Sequence, residues 1–271
     1  MENQIKNFVL ANGYEFTSIE NENSLKIIYN AFYSNIIDKV TQFTDSIVYL
    51  YYGMYFEINN KYDIAITYYK MSSDLGNSIA SLYLGCIYGN KGIEKEMITY
   101  LTISANKGNT NAIFKLAEHF YSTKNVSDME KWYECGVELN DVKCMVNLAN
   151  YYKKNNIKIT RMIELFNKAV NKKSIYAINN LSDYYESINN IELMVKYLKM
   201  SAELGYLDSY ISLASYYQDI KDYDNIHRWM NNLLTISAYS STLDLEAAKR
   251  GYELCDYHQP DKLTPFSKGG K

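Results

Sequence analysis

The sequence predicts an all-α solenoid of six consecutive helix–turn–helix units with helical caps. Three observations predict it. A small residue recurs at Gly53, Gly85, Ala117, Ala149, Ser182 and Ala214, in steps of 32, 32, 32, 33 and 32 residues. An aromatic residue follows three places later each time, at Phe56, Tyr88, Phe120, Tyr152, Tyr185 and Tyr217. A bulky pair comes farther on in every copy: Tyr68-Tyr69, Tyr100-Leu101, Trp132-Tyr133, Leu165-Phe166, Tyr197-Leu198 and Trp229-Met230. A fixed period in this range marks repeat arrays, whose units share a core by stacking because none can bury one alone.

The unit reads most clearly over residues 80–109. In its first helix Ala80, Leu84 and Tyr88 recur four apart and so share one face, with Gly85 beside them. A large residue precedes the small one in every copy: Tyr52, Leu84, Leu116, Leu148, Leu181 and Leu213. The small residue is required because a second helix crosses there. A leucine at Ala117 or Ala149 would overpack the crossing, at a cost of about 1–3 kcal/mol. The second helix answers with Met97, Leu101 and Ser104, and Gly108 ends it, as Gly76 and Gly205 do in their copies.

On these residues the chain resembles a known family. The pattern A-x-x-x-L-G-x-x-Y at Ala80, Leu84, Gly85 and Tyr88, followed by Tyr100-Leu101, Ser104-Ala105, Gly108-Asn109 and Ala112, resembles the Sel1-like repeat, a relative of the tetratricopeptide repeat. The resemblance covers about Ile47 to Leu234. It implies a right-handed α-solenoid of six Sel1/tetratricopeptide-like units. It also implies a non-catalytic protein-interaction scaffold or adaptor that holds a peptide or protein in its concave groove. The chain departs from the family in three ways. Its units are short, the Gly-rich loop is reduced to turns such as Asn59-Asn60-Lys61 and Asn189-Asn190, and the tetratricopeptide proline is missing. The family carries two alternatives: an adaptor subunit of a ubiquitin-ligase or degradation assembly, and a hydrolase of the Sel1-like β-lactamase type. The hydrolase belongs to Cys-rich relatives, whose cysteine pattern this chain lacks. Scarce arginine with abundant Asn, Ile and Tyr resembles the repeats of giant DNA viruses and AT-rich protists.

Residues 1–45 precede the register. Leu25, Ile28, Phe32 and Ile36 form a helical stripe there, with Ser24 as a candidate N-cap. This stretch is predicted to be an N-terminal cap or degenerate repeat, with a recruiting element as the alternative. Six copies then occupy residues 46–238. The one register slip falls between Ala149 and Met162, with the extra residue in the turn Lys154-Asn155-Asn156-Ile157-Lys158. Over 239–257, Glu246 stands where a small residue belongs, and a charge there blocks further stacking, which predicts a capping helix. Pro260 and Pro265 lie in a Lys/Gly-rich tail, 258–271, expected to be disordered.

A net charge of −3 argues against general nucleic-acid binding. No apolar run approaches the roughly 20 residues needed to span a bilayer. The start, MENQIKNFVLANGYEF, lacks a basic segment leading into a long apolar core, so no signal peptide is expected. The cysteines, Cys86, Cys135, Cys144 and Cys255, form no regular pair and no C-x-x-C, which points to free thiols in a reducing compartment. His119, His227 and His258 lack partners at catalytic or metal-ligand spacing. The expectation is a monomeric, cytoplasmic protein (host-cell cytoplasm if viral) that binds another protein, uses no cofactor or metal, and is not an enzyme.

The candidate partner-binding residues follow from the register. By analogy with tetratricopeptide arrays, first helices line the groove and present Met54, Cys86, Glu118, Asn150, Asp183 and Ser215 to it. Glu57, Tyr121, Lys153, Glu186 and Gln218 come one turn later, and Asn179 one turn before Asp183. Such side chains can hydrogen-bond an extended peptide backbone. Copy four is strongly basic. Lys143, Lys153, Lys154, Lys158, Arg161, Lys168, Lys172 and Lys173 stand against only Asp141 and Glu164, a local field suited to an acidic or phosphorylated partner. In the pairs Tyr151-Tyr152, Tyr184-Tyr185 and Tyr216-Tyr217, the second member is predicted to be core and the first exposed.

Overall fold

The computed structural model describes residues 46–237. The expectations for residues 1–45, for the capping helix over 239–257 and for the tail lie outside this range. The described residues form twelve helices and no strand. They are α1 (Ser46–Ile58), α2 (Tyr62–Asp74), α3 (Ser78–Asn90), α4 (Glu94–Ala105), α5 (Thr110–Ser122), α6 (Val126–Glu138), α7 (Val142–Asn155), α8 (Ile159–Asn171), α9 (Ile175–Ser187), α10 (Ile191–Glu203), α11 (Leu207–Asp219) and α12 (Tyr223–Ser237). They are the six predicted pairs of an all-α repeat solenoid. The chain divides into two compact units between Cys144 and Met145. In the first, α1 packs on α2, α3 on α4 and α5 on α6, with α2–α3 and α4–α5 contacts joining the pairs. In the second, α9 packs on α10 and α11 on α12, with α8–α9 and α10–α11 as the joints.

The helices cross closely at the recurring small residues. A Cβ at Gly53 would lie 2.4 Å from the Tyr69 ring, and one at Gly85 would lie 2.6 Å from Leu101 Cγ and 3.2 Å from its backbone nitrogen. Ala117, Ala149, Ser182 and Ala214 are buried at the same position. The structure adds a second column of small residues, on the second helices: Ser72, Ser104, Gly136, Ala169 and Ser201, all buried. A Cβ at Gly136 would lie 2.2 Å from Cys144 Sγ. Ser72 and Ser104 use their hydroxyls as well as their size, donating to the Ser46 and Ser78 carbonyls at 2.6 and 2.7 Å. Those carbonyls open the first helix of the same copy, so each bond ties the two helices of a pair together.

Leu84, Leu116, Leu148, Leu181 and Leu213 are all fully buried, as the register predicts. Tyr152, Tyr185 and Tyr217 are buried too, with their preceding tyrosines only half-buried and packed at an angle against them. Tyr88 departs from the expectation of a buried core ring. It is half-buried, stacked on Tyr100 at 5.6 Å, with Lys70 5.9 Å above its face. Phe120 is likewise half-buried and meets His119 edge-on.

Both kinds of turn close in the same way. One residue turns left-handed, and the next donates its N–H to a carbonyl five residues back. Within pairs the left-handed residues are Asn60, Gly92, Lys124, Asn156, Asn189 and Lys221. The acceptors are the carbonyls of Phe56, Tyr88, Phe120, Tyr152, Tyr185 and Tyr217, the recurring aromatics themselves. Between pairs the left-handed residues are Gly76, Gly108, Asn140, Lys173 and Gly205, and the acceptors are the small residues Ser72, Ser104, Gly136, Ala169 and Ser201. The glycine stops are therefore only three of five. The extra residue of copy four sits where the sequence places it: Lys158, the N-cap of α8, adds a second left-handed residue after Asn156.

A Cβ on Gly108 meets nothing within 4 Å, so the penalty for a side chain there is purely conformational. Gly108→Val is expected to lose about 1–2 kcal/mol in urea unfolding, because a branched side chain opposes the left-handed backbone. Lys173→Gly should gain up to about 1 kcal/mol, as strain at Lys173 is relieved against the added unfolded-state entropy.

Candidate functional site

In the first unit α1, α3, α4 and α5, with Lys143 at the start of α7, line an open cleft of about 830 Å³. Leu82, Phe114 and Met97 supply apolar lining, and Glu57, Lys115, Glu118, His119 and Lys143 supply the charged and titratable groups. Two tyrosines at the same register position of α2 and α6 hold two of its carboxylates. Tyr69 donates to Glu57, and Tyr133 donates to Glu118 at 3.3 Å. Burial pushes the Glu57 carboxyl above its usual range, and the Tyr69 hydrogen bond opposes the shift. Burial also raises the Cys86 thiol, with Lys115 lowering it and Glu57 adding to the rise, so the thiol stays protonated at neutral pH. On the flank, His119 Nε2 lies 3.0 Å from Glu94 Oε1. Gly89-Asn90-Lys91-Gly92 is a helix-joining turn with Gly92 left-handed, not a phosphate loop. Among the described residues, no group of three or more His, Cys, Asp or Glu side chains is placed to hold a metal ion. No described helix is long and apolar enough to cross a membrane.

The predicted partner-binding residues divide between the two units. Glu118 and Lys143 line the first unit's cleft, and Tyr121, exposed at 43%, lies one turn beyond Glu118 on α5. In the second unit, Lys153 lies 3.6 Å from Asp183 and donates to the side chain and carbonyl of Asn180 at 3.1 and 3.3 Å. Asn150 is half-buried on α7, and Lys154 and Glu186 are exposed. Asn179 faces inward and accepts the Ser201 hydroxyl at 2.6 Å. Its neighbour Asn180, which the register reading passed over, is the amide that meets Lys153. Lys115, Asn147 and Asn180 share that position, so the period itself carried the signal. Tyr176, in register with Asn111 and Lys143, was also passed over and is 78% exposed.

The basic fourth copy disperses its charge. Arg161 and Lys168 both pair with Glu164, at 2.7 and 3.2 Å, and Lys153 pairs with Asp183. Lys158 lies over the Tyr152 ring at 5.0 Å. Lys154, in the last turn of α7, and Lys172 and Lys173, in the turn after α8, are exposed.

Solved structures with this arrangement of helix pairs are repeat proteins. A Sel1 repeat protein from Oxalobacter formigenes is 16% identical, with a TM-score of 0.51 over 78% of this chain and 97% of that one. In fold, the chain is a Sel1-like, tetratricopeptide-related repeat protein. A tetratricopeptide repeat-containing protein from Cytophaga hutchinsonii agrees at a TM-score of 0.56, 16% identity, and 83% and 98% coverage. So does a protective antigen of uropathogenic Escherichia coli strains with an SLR fold, at 0.54 and 19% identity. That match covers 84% of this chain, which spans 58% of the antigen. No family model matches the sequence, and no curated protein does.

Glu57 fixes a pH test. Its carboxyl binds a proton more tightly in the folded than in the unfolded chain. Its contribution to stability is therefore lost as pH rises from the ordinary carboxylate range through the raised folded value. Glu57→Gln, which keeps an acceptor for Tyr69, is expected to be more stable than wild type at neutral pH. The two should converge near about pH 4, in urea melts run at both pH values.

Proposed function

We propose that this array is a non-catalytic protein-interaction scaffold, an adaptor whose first helices form a groove for a peptide or protein segment. The observation that carries the reading is the first unit's cleft, where polar side chains from successive first helices reach one open surface over an apolar lining. Repetition supplies such positions at a fixed pitch, and an extended backbone can follow them, hydrogen-bonding as it goes. In the second unit, the exposed Lys154, Lys172 and Lys173 would by themselves favour an acidic or phosphorylated segment. The degradation-assembly alternative uses the same surface and differs in its partner, so the identity of captured proteins separates the two.

The test is affinity capture with the full chain, comparing wild type with Lys115→Glu/Glu118→Lys in the cleft and with Glu192→Lys/Lys196→Glu on α10. The expected outcome is a partner that binds wild type and the α10 variant equally and the cleft variant at least about tenfold more weakly. Retention of every partner by the cleft variant would remove the groove reading.

A further inference from the structure

In the second unit the acidic excess of copies five and six gathers on their first helices. Over residues 174–237 the chain has eight acids and four bases, and α9 and α11 hold four of the acids and none of the bases. Tyr176, Asp183 and Ser187 lie along one stripe of α9, and Asp208, Ser215 and Asp219 stand at the same register positions of α11. All six are exposed. Tyr176 is 78% exposed, more than any other large hydrophobic side chain among the described residues. Tyr206, which leads into α11, is exposed as well, and its hydroxyl is hydrogen-bonded to the Asp208 carboxylate. Tyr176 and Asp183 act electrostatically on the same hydroxyl, so two rings and two carboxylates share one local field.

This face already holds one cation. Lys153 of α7 reaches Asp183 at 3.6 Å and donates to the Asn180 side chain and carbonyl at 3.1 and 3.3 Å, while the Asp183 side chain stays 68% exposed. The exposed Lys172 and Lys173 precede α9 in its turn and mark where the acidic face ends.

We propose that the exposed face of α9 and α11 docks a basic segment of a partner protein, with arginine side chains laid on the tyrosine rings and paired with Asp183 and Asp208. Charge complementarity selects the occupant: carboxylates without a base on either helix attract a cationic segment and repel nucleic acid or an acidic peptide. The rings select among cations. A guanidinium is planar, stacks on an aromatic face and meets a carboxylate through two N–H groups at once, whereas an ammonium does neither as well. The inference rests on the scaffold reading but uses residues other than those of the first unit's cleft.

The test is calorimetric titration of the full chain with octa-arginine, octa-lysine and octa-glutamate peptides at fixed ionic strength. Octa-arginine should bind most tightly and octa-glutamate most weakly. Asp183→Asn/Asp208→Asn should weaken octa-arginine at least about tenfold, and Glu192→Gln/Glu203→Gln on α10, the same change in net charge, no more than about twofold. Tyr176→Ser, which leaves the charge unaltered, should weaken it about two- to fivefold. The cleft variant Lys115→Glu/Glu118→Lys should leave it unchanged, so failure here and failure of the cleft reading are separable. These side chains are exposed, and equal thermal melting of the variants assigns a loss to binding and not to folding. Equal losses in the two Asn and Gln double variants, no effect of Tyr176→Ser, or preference for octa-glutamate would overturn the proposal.

Discussion

The structure depends on how closely the two helices of a pair approach. At Gly85 the space for a side chain is already occupied by Leu101, and at Gly53 by the Tyr69 ring. Helix axes that close need a column of small residues on one partner and bulky ones on the other. A second column, Ser72 through Ser201, does the same job where the second helix meets its neighbours. With both columns, copies one to five carry a small residue on each helix of the pair. Each unit then relies on the next for its core, and the period cannot drift without breaking both columns at once.

The turns are tied to the same residues. The carbonyls that close them belong to the recurring aromatics on one side of the unit and to the small residues on the other. A one-residue change in turn length would misplace a core residue or leave its carbonyl unpaired, unless the backbone absorbs it locally. Copy four shows what absorption takes: a second left-handed residue, Lys158, without a shift in the buried positions Met162, Leu165 and Phe166. What packing leaves open is the exposed side of the first helices, as at Glu118, Asp183 and Glu186.

The architecture was legible because its constraint is steric and local. Only Gly, Ala or Ser fits the crossing, so the sequence repeats visibly at Gly53, Gly85, Ala117, Ala149, Ser182 and Ala214. The second column carried the same signal, yet only Ser104 was read from it. The left-handed stops at Asn140 and Lys173 were less legible, since a closed turn tolerates residues other than glycine at a modest cost. The period gives the expected groove positions but not the contacts their side chains make. Asn179 and Asn180 are adjacent in sequence, but one is bonded to Ser201 and the other to Lys153, and only the helix phase separates them. Charge counting over copy four missed that Glu164 serves two cations and Asp183 a third, because pairing depends on rotamers and on a carboxylate thirty residues away.

The crossing itself offers the most direct measurement, a double-mutant cycle at Gly85 and Leu101 followed by urea unfolding. Gly85→Ala alone should destabilise the chain by about 1–3 kcal/mol, because the new methyl meets Leu101. Leu101→Ala removes the side-chain atoms at 2.6 and 2.7 Å and leaves only the 3.2 Å approach to the backbone nitrogen, so in that background the same substitution should cost at least about 1 kcal/mol less. That loss of the penalty is what a sterically set crossing predicts. An effect of the same sign and size in both backgrounds would contradict it.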